Sequence, residues 1–149
     1  MAAEPPRVRG LEEGDRGPWL ALWEGYLRYY RQPLGDEVTR ATFDRLWRRE
    51  NGLAGLVCVD AADRPTGLAH LIFHPSTWSI GPYCYLEDLF VAPEQRGTGA
   101  GRALIEASYV EAAARGATKV YWHTQAFNAP GRALYDEVGR LTSQVVYEH

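Results

Sequence analysis

The chain has 149 residues, 46% hydrophobic and 23% charged, which suits one domain, residues 1–149, with a sizeable core. A net charge of −3 gives no global case for nucleic-acid binding and sooner favours a cationic small molecule. No apolar run nears the roughly 20 residues that span a bilayer. Met1-Ala2-Ala3-Glu4-Pro5-Pro6 lacks the parts of a signal peptide, so no membrane partner and a cytoplasmic location are expected.

In chain order, residues 7–11 are a short strand candidate, and Asp15 is placed to cap the next helix. Trp19, Leu20, Trp23, Tyr26, Leu27 and Tyr30 recur at helical spacing and predict that amphipathic helix over 17–31. Gln32-Pro33-Leu34-Gly35 breaks it, and a second helix over 36–50 ends at Asn51-Gly52. Residues 55–60 and 66–74 read as an antiparallel strand pair, 75–82 as a loop, and 83–91 as the central strand. A small-residue helix over 99–115 stops at Gly116. Residues 118–124 form the next strand, parallel to the central one through a right-handed crossover. Asn128 caps a short helix that Gly139 ends, and residues 142–147 are expected to close the sheet as a last strand. Cys58 and Cys84 lie in apolar runs and read as small buried thiols. His70, His74, His123 and His149 show no metal-ligand spacing and read as packing or surface histidines; no metal is expected.

The chemistry concentrates where Tyr85-Leu86-Glu87-Asp88-Leu89-Phe90-Val91 runs into Ala92-Pro93-Glu94-Gln95-Arg96-Gly97-Thr98-Gly99-Ala100-Gly101-Arg102. A strand, a glycine-rich turn and a helix start together describe a cradle for a diphosphate. The glycines are wrongly spaced for a dinucleotide fingerprint, and the Gly-Lys-Ser/Thr of a nucleotide P-loop is absent. Arg96-Gly97-Thr98-Gly99-Ala100-Gly101 instead fits R-x-x-G-x-G after an Asp-Leu-Phe-Val-x-Pro strand end. On this motif the chain resembles the GNAT superfamily of acetyl-CoA-dependent N-acetyltransferases. The order of elements agrees over nearly the whole chain. The resemblance implies an α/β GNAT fold: a mixed, mostly antiparallel sheet, helices on both faces, and a splayed central parallel strand pair.

The resemblance also implies roles. The amides and side chains of Arg96, Gly97, Thr98, Gly99, Ala100, Gly101 and Arg102 would hold the diphosphate of acetyl-CoA, with Gln95 assisting. Leu89, Phe90 and Val91 would pair with the pantetheine arm through their backbone, and the acyl end would enter the gap between splayed strands. Plain surface arginines remain the alternative for Arg96 and Arg102. An alkylamine with a pKa near roughly 10 needs a base. Tyr-x-Glu-Asp-Leu-Phe-Val looks like the spermidine/spermine acetyltransferases, whose proposed base matches Glu87; Asp88 is the alternative, and a structural ion pair remains open for either acid. By strand alternation Glu87, Leu89 and Val91 share one face, and Asp88 and Phe90 the other. Asn128-Ala129-Pro130-Gly131-Arg132-Ala133-Leu134-Tyr135 resembles the family's Asn-x-x-x-x-x-Leu-Tyr helix. There the asparagine meets the cofactor arm and the tyrosine protonates the departing thiolate, which implies those roles for Asn128 and Tyr135.

The stretches 73–78 and 120–136 are similar to the yeast histone/polyamine-type branch. That implies a primary-amine acceptor: a polyamine, a lysine side chain or an amino acid. Glu87 and Asp88, with Asp36 or Glu37, could meet its cation, and Trp78 could stack on it or serve as a core or interface aromatic. A homodimer is allowed by the aromatic content. The competing reading is a GNAT-like domain that senses acyl-CoA without turnover.

Overall fold

The structure, a computed structural model, describes residues 4–149; Met1, Ala2 and Ala3 of the N-terminal stretch lie outside the described residues. Among the described residues five strands and four α-helices follow one another. They are β1 (Arg7–Gly10), α1 (Arg16–Tyr30), α2 (Asp36–Arg48), β2 (Leu53–Val59), β3 (Pro65–His74), β4 (Tyr83–Val91), α3 (Ala100–Ala114), β5 (Lys119–Tyr121) and α4 (Ala129–Val138). The sheet runs β1-β2-β3-β4-β5, antiparallel throughout except for the parallel β4–β5 pair.

Each face of the sheet carries its own core, because neighbouring residues on a strand point opposite ways. Trp19 and Trp23 of α1 and Phe43 and Leu46 of α2 pack with Val57 and Leu68 on one face. Leu104 and Ile105 of α3 pack with Leu71, Cys84 and Leu86 on the other, where Leu134 and Tyr135 of α4 join them. Cys58 and Cys84 are buried and free. Helix α1 ends at Arg31 and α2 at Arg49, both in the left-handed conformation.

Three local expectations are corrected. Asp15 stands at the start of α1 without capping it; its carboxylate accepts from the Glu12 amide (2.8 Å) and from Arg9 (2.8 and 3.0 Å). Residues 142–147 form no strand: 140–149 are irregular and exposed, with Leu141, Val145, Val146 and Tyr147 all in solvent. A strand that buries no face has nothing to offset the roughly 1–2 kcal/mol per residue of backbone entropy. The third concerns alternation in β4. His70 stands opposite Asp88 but Leu71 opposite Leu86, so Glu87 is an extra residue in a β-bulge. Cys84 and Leu86 face α3, and so do Leu89 and Val91 after the bulge. Glu87 and Asp88 therefore open onto one cleft on the α1–α2 side, not onto opposite faces.

The parallel ladder is short. Pairing stops at Tyr85–Tyr121, while β4 continues to Val91. Just beyond β5, Trp122 packs edge-on against Tyr135 of α4, ring centroids 5.6 Å apart. The two strands splay as expected, and the β5-side edge of β4 is left unpaired from Leu86 to Val91.

Candidate active site

Beyond β4, the turn holds Gly97 at φ +79° and Gly99 at φ +88°, a conformation that favours glycine. Gly99 also stands at the start of α3, with no side chain capping the helix. From Gly97 to Arg102 no backbone amide finds an acceptor among the described residues; the first to do so is Ala103, on the Gly99 carbonyl (3.0 Å). A Cβ on Gly97 would meet nothing within 4 Å, so this surface is open. Free N–H groups, an open glycine surface and the positive end of α3 fit a diphosphate.

The side chains of the motif divide. Arg96 turns back along the strand end, donating from Nε to the Val91 carbonyl (3.3 Å) and lying over the Phe90 ring at 5.7 Å. Thr98 donates to the Gln95 carbonyl (2.6 Å), which holds the turn in shape. Arg102 reaches across to α4 and pairs with Glu137. Asn128 caps α4 by accepting from the Gly131 amide (3.3 Å) and donates to Thr124 Oγ1 (2.9 Å).

A small cleft opens where the β4–β5 ladder stops. Glu87 and Leu89 of β4, Trp122, Tyr135 of α4, and Tyr26 and Tyr30 of α1 line it. The Tyr135 hydroxyl makes no hydrogen bond among the described residues. Burial, and then the nearby Tyr30 and Tyr29, raise its pKa above the ordinary phenol value, so it holds its proton at neutral pH. A second, larger cleft of about 590 Å³ lies between α1, α2 and the sheet. Both clefts are bounded by Tyr26, Tyr30 and Glu87, so Glu87 stands where they meet.

The two carboxylates are treated differently. Asp88 is fixed: its Oδ2 accepts from His70 Nδ1 at 2.8 Å. His70 Nε2 in turn accepts from the Trp19 indole N–H at 3.0 Å. An indole N–H can only donate, so His70 Nε2 is an acceptor and the ring proton sits on Nδ1, facing Asp88. His70 is thus neither a surface histidine nor a mere packing one. Glu87 has no such partner among the described residues and is exposed at the cleft mouth. Partial withdrawal from water and then the Asp88 charge raise its pKa; the Arg45 charge pulls it the other way. Tyr26 is held protonated by burial and by Asp88.

Trp78 sits on the β3–β4 loop, 86% exposed, and lines neither cleft. Asp36 and Glu37 lie in the first turn of α2 and also line neither. Sequence reasoning missed His70, Tyr26 and Arg45. A histidine inside an apolar strand was the available signal for the first, but its partner follows only from the bulged register.

A sheet opened between parallel strands, beside a turn of unclaimed amides, defines the class: an acyltransferase of the GNAT fold. The profile of the Acetyltransferase (GNAT) family matches residues 19–139, and the chain belongs to that family. It is 32% identical to the D-amino-acid N-acetyltransferase HPA3 of Saccharomyces cerevisiae over 95% of this chain and 88% of that protein. Among solved structures, an acetyltransferase of Trypanosoma brucei matches with TM-score 0.75 and 25% identity, over 97% of this chain and 98% of that one. AAC(6')-Iy, solved with a CoA-linked bisubstrate analogue, matches with TM-score 0.83 and 17% identity, over 98% of each chain. The protein is an N-acetyltransferase.

Proposed function

We propose that the protein carries an acetyl group from acetyl-CoA to a primary amine by direct attack, with both substrates bound together. The observation that carries this is the position of Glu87 at the junction of the two clefts, with Tyr135 in the narrower one. Acetyl-CoA, when bound, supplies the acetyl group as an activated thioester. The amides of residues 97–102 hold its diphosphate, and the unpaired edge of β4 at Leu89, Phe90 and Val91 holds its arm. Asn128 steadies the start of α4 beside that arm. The acceptor enters from the larger cleft. Glu87 takes a proton from its ammonium, directly or through water, while Asp88, held by His70, adds fixed negative charge. Tyr135 gives its hydroxyl proton to the departing sulfur. A domain that merely holds acyl-CoA has no need of this acid and base on one cleft. Among polyamines, lysine side chains and amino acids, the yeast relative's activity favours the last.

The test measures thiol release from acetyl-CoA across an amine panel, with wild type and Glu87→Gln. Amine-dependent release is expected, with kcat about 100-fold lower or more in the variant. In wild type, kcat/KM should fall as pH drops through the raised pKa of Glu87, because protonated Glu87 cannot accept the proton. The variant should lose that limb. Release no faster with any amine than with buffer would end the proposal.

A further inference from the structure

We propose that the larger cleft is a site for a zwitterionic amino acid with a bulky apolar side chain, and that Arg45 holds its carboxylate. The inference rests on the acetyl-transfer reading and assigns its acceptor.

Of the arginines that pair with no carboxylate among the described residues, Arg45 alone lines the larger cleft. Arg7, Arg9, Arg16, Arg49, Arg102 and Arg115 each pair with a carboxylate. Arg45 lines the cleft from α2 and has no ion pair among the described residues. Its one side-chain hydrogen bond among the described residues is a long one, 3.4 Å from Nε to the Ala41 carbonyl of its own helix. Across the cleft stand Glu87 and Asp88. The Arg45 charge acts on Glu87, so the two are within electrostatic reach of one another.

A cleft with a cation on one wall and two acids on the other complements a molecule carrying both charges. The acceptor ammonium belongs at Glu87, where its proton must leave. A carboxylate belongs at Arg45, whose planar donors match it in two parallel hydrogen bonds. A polyamine fits poorly, because its further ammonium groups would have to share the cleft with Arg45. The remaining walls say what the rest of the acceptor looks like. Trp23, Leu27, Leu46, Leu53 and Ile72 give an apolar surface. A volume of about 590 Å³ is within the range of small-molecule sites.

The test compares phenylalanine, as both enantiomers, with 2-phenylethylamine, which is the same molecule without its carboxylate, and with spermidine. Initial rates with acetyl-CoA and calorimetric binding in the presence of CoA are measured for wild type, Arg45→Met and Arg45→Lys. Methionine keeps the aliphatic stem and loses the charge. Wild type should favour at least one phenylalanine enantiomer over phenylethylamine and spermidine. In Arg45→Met the ratio of kcat/KM for that enantiomer to that for phenylethylamine should fall about ten- to a hundredfold. Arg45→Lys should restore part of it. An unchanged ratio in Arg45→Met, or wild type preferring either carboxylate-free amine, would overturn the inference and leave amine acetylation standing. If no acceptor were acetylated, the acetyl-transfer reading would fail. Binding would then decide the carboxylate site by itself: phenylalanine binding lost in Arg45→Met would support it, and binding equal in both proteins would overturn it.

Discussion

Tyr135→Phe separates chemistry from structure more cleanly than any other single change. Phenylalanine keeps the ring and its edge-on contact with Trp122 at 5.6 Å. The hydroxyl has no partner among the described residues, so its removal strands no donor or acceptor. The stability change should stay within about 0.5 kcal/mol, a shift of no more than roughly 2 °C in Tm for a domain of this size. The proposed cradle, amides 97–102, is untouched, so CoA affinity should hold within about twofold. Only the proton for the sulfur is lost. A general acid contributes about 10²- to 10⁴-fold, which is roughly 3–5 kcal/mol of barrier. Thiol release at saturating acetyl-CoA and acceptor, followed with a thiol reagent, gives kcat; calorimetry with CoA and a thermal melt give the controls. A variant with kcat within about threefold of wild type would refute Tyr135 as the proton donor. A variant that fails mainly by losing CoA would recast it as a binding residue.

Two further changes probe the cradle and the fixed acid. Gly97→Ala meets no neighbour, but its backbone at φ +79° costs about 1–2 kcal/mol for an alanine. The fold should survive while CoA binding weakens about tenfold by calorimetry, and unchanged binding would remove this turn from the site. His70→Ala leaves the buried Trp19 N–H and the Asp88 carboxylate without their partner and opens a cavity. A loss of about 3 kcal/mol is expected in urea denaturation, or roughly 6–12 °C in Tm. A loss under about 1 kcal/mol would show that the chain Trp19–His70–Asp88 does not hold the site.

What could be read in the sequence was whatever depends on near neighbours. The glycine turn and its helix, the cap at Asn128 and the order of the first nine elements follow from local geometry and periodicity. Glu87 and Tyr135 could be named because motifs carry them. The harder features depend on residues far apart. The pairing of His70 with Asp88 needs the β3–β4 register, and that register contains an extra residue that no alternating pattern announces. Arg45 sits among ordinary polar residues of an amphipathic helix and acquires meaning only when β4 faces it. Residues 142–147 have strand-like composition, yet propensity without a face to bury forms no strand.

The bulge in β4 does more than place one acid. It slips the strand's count by one, so that even-numbered residues meet α3 before it and odd-numbered ones after it. Without Glu87 the strand would alternate evenly, with Leu89 and Val91 still against α3 and Asp88 still on the α1–α2 side. The cleft would then hold one carboxylate in place of two. The irregularity thus adds an acid to the cleft and leaves the surface that α3 packs on unchanged.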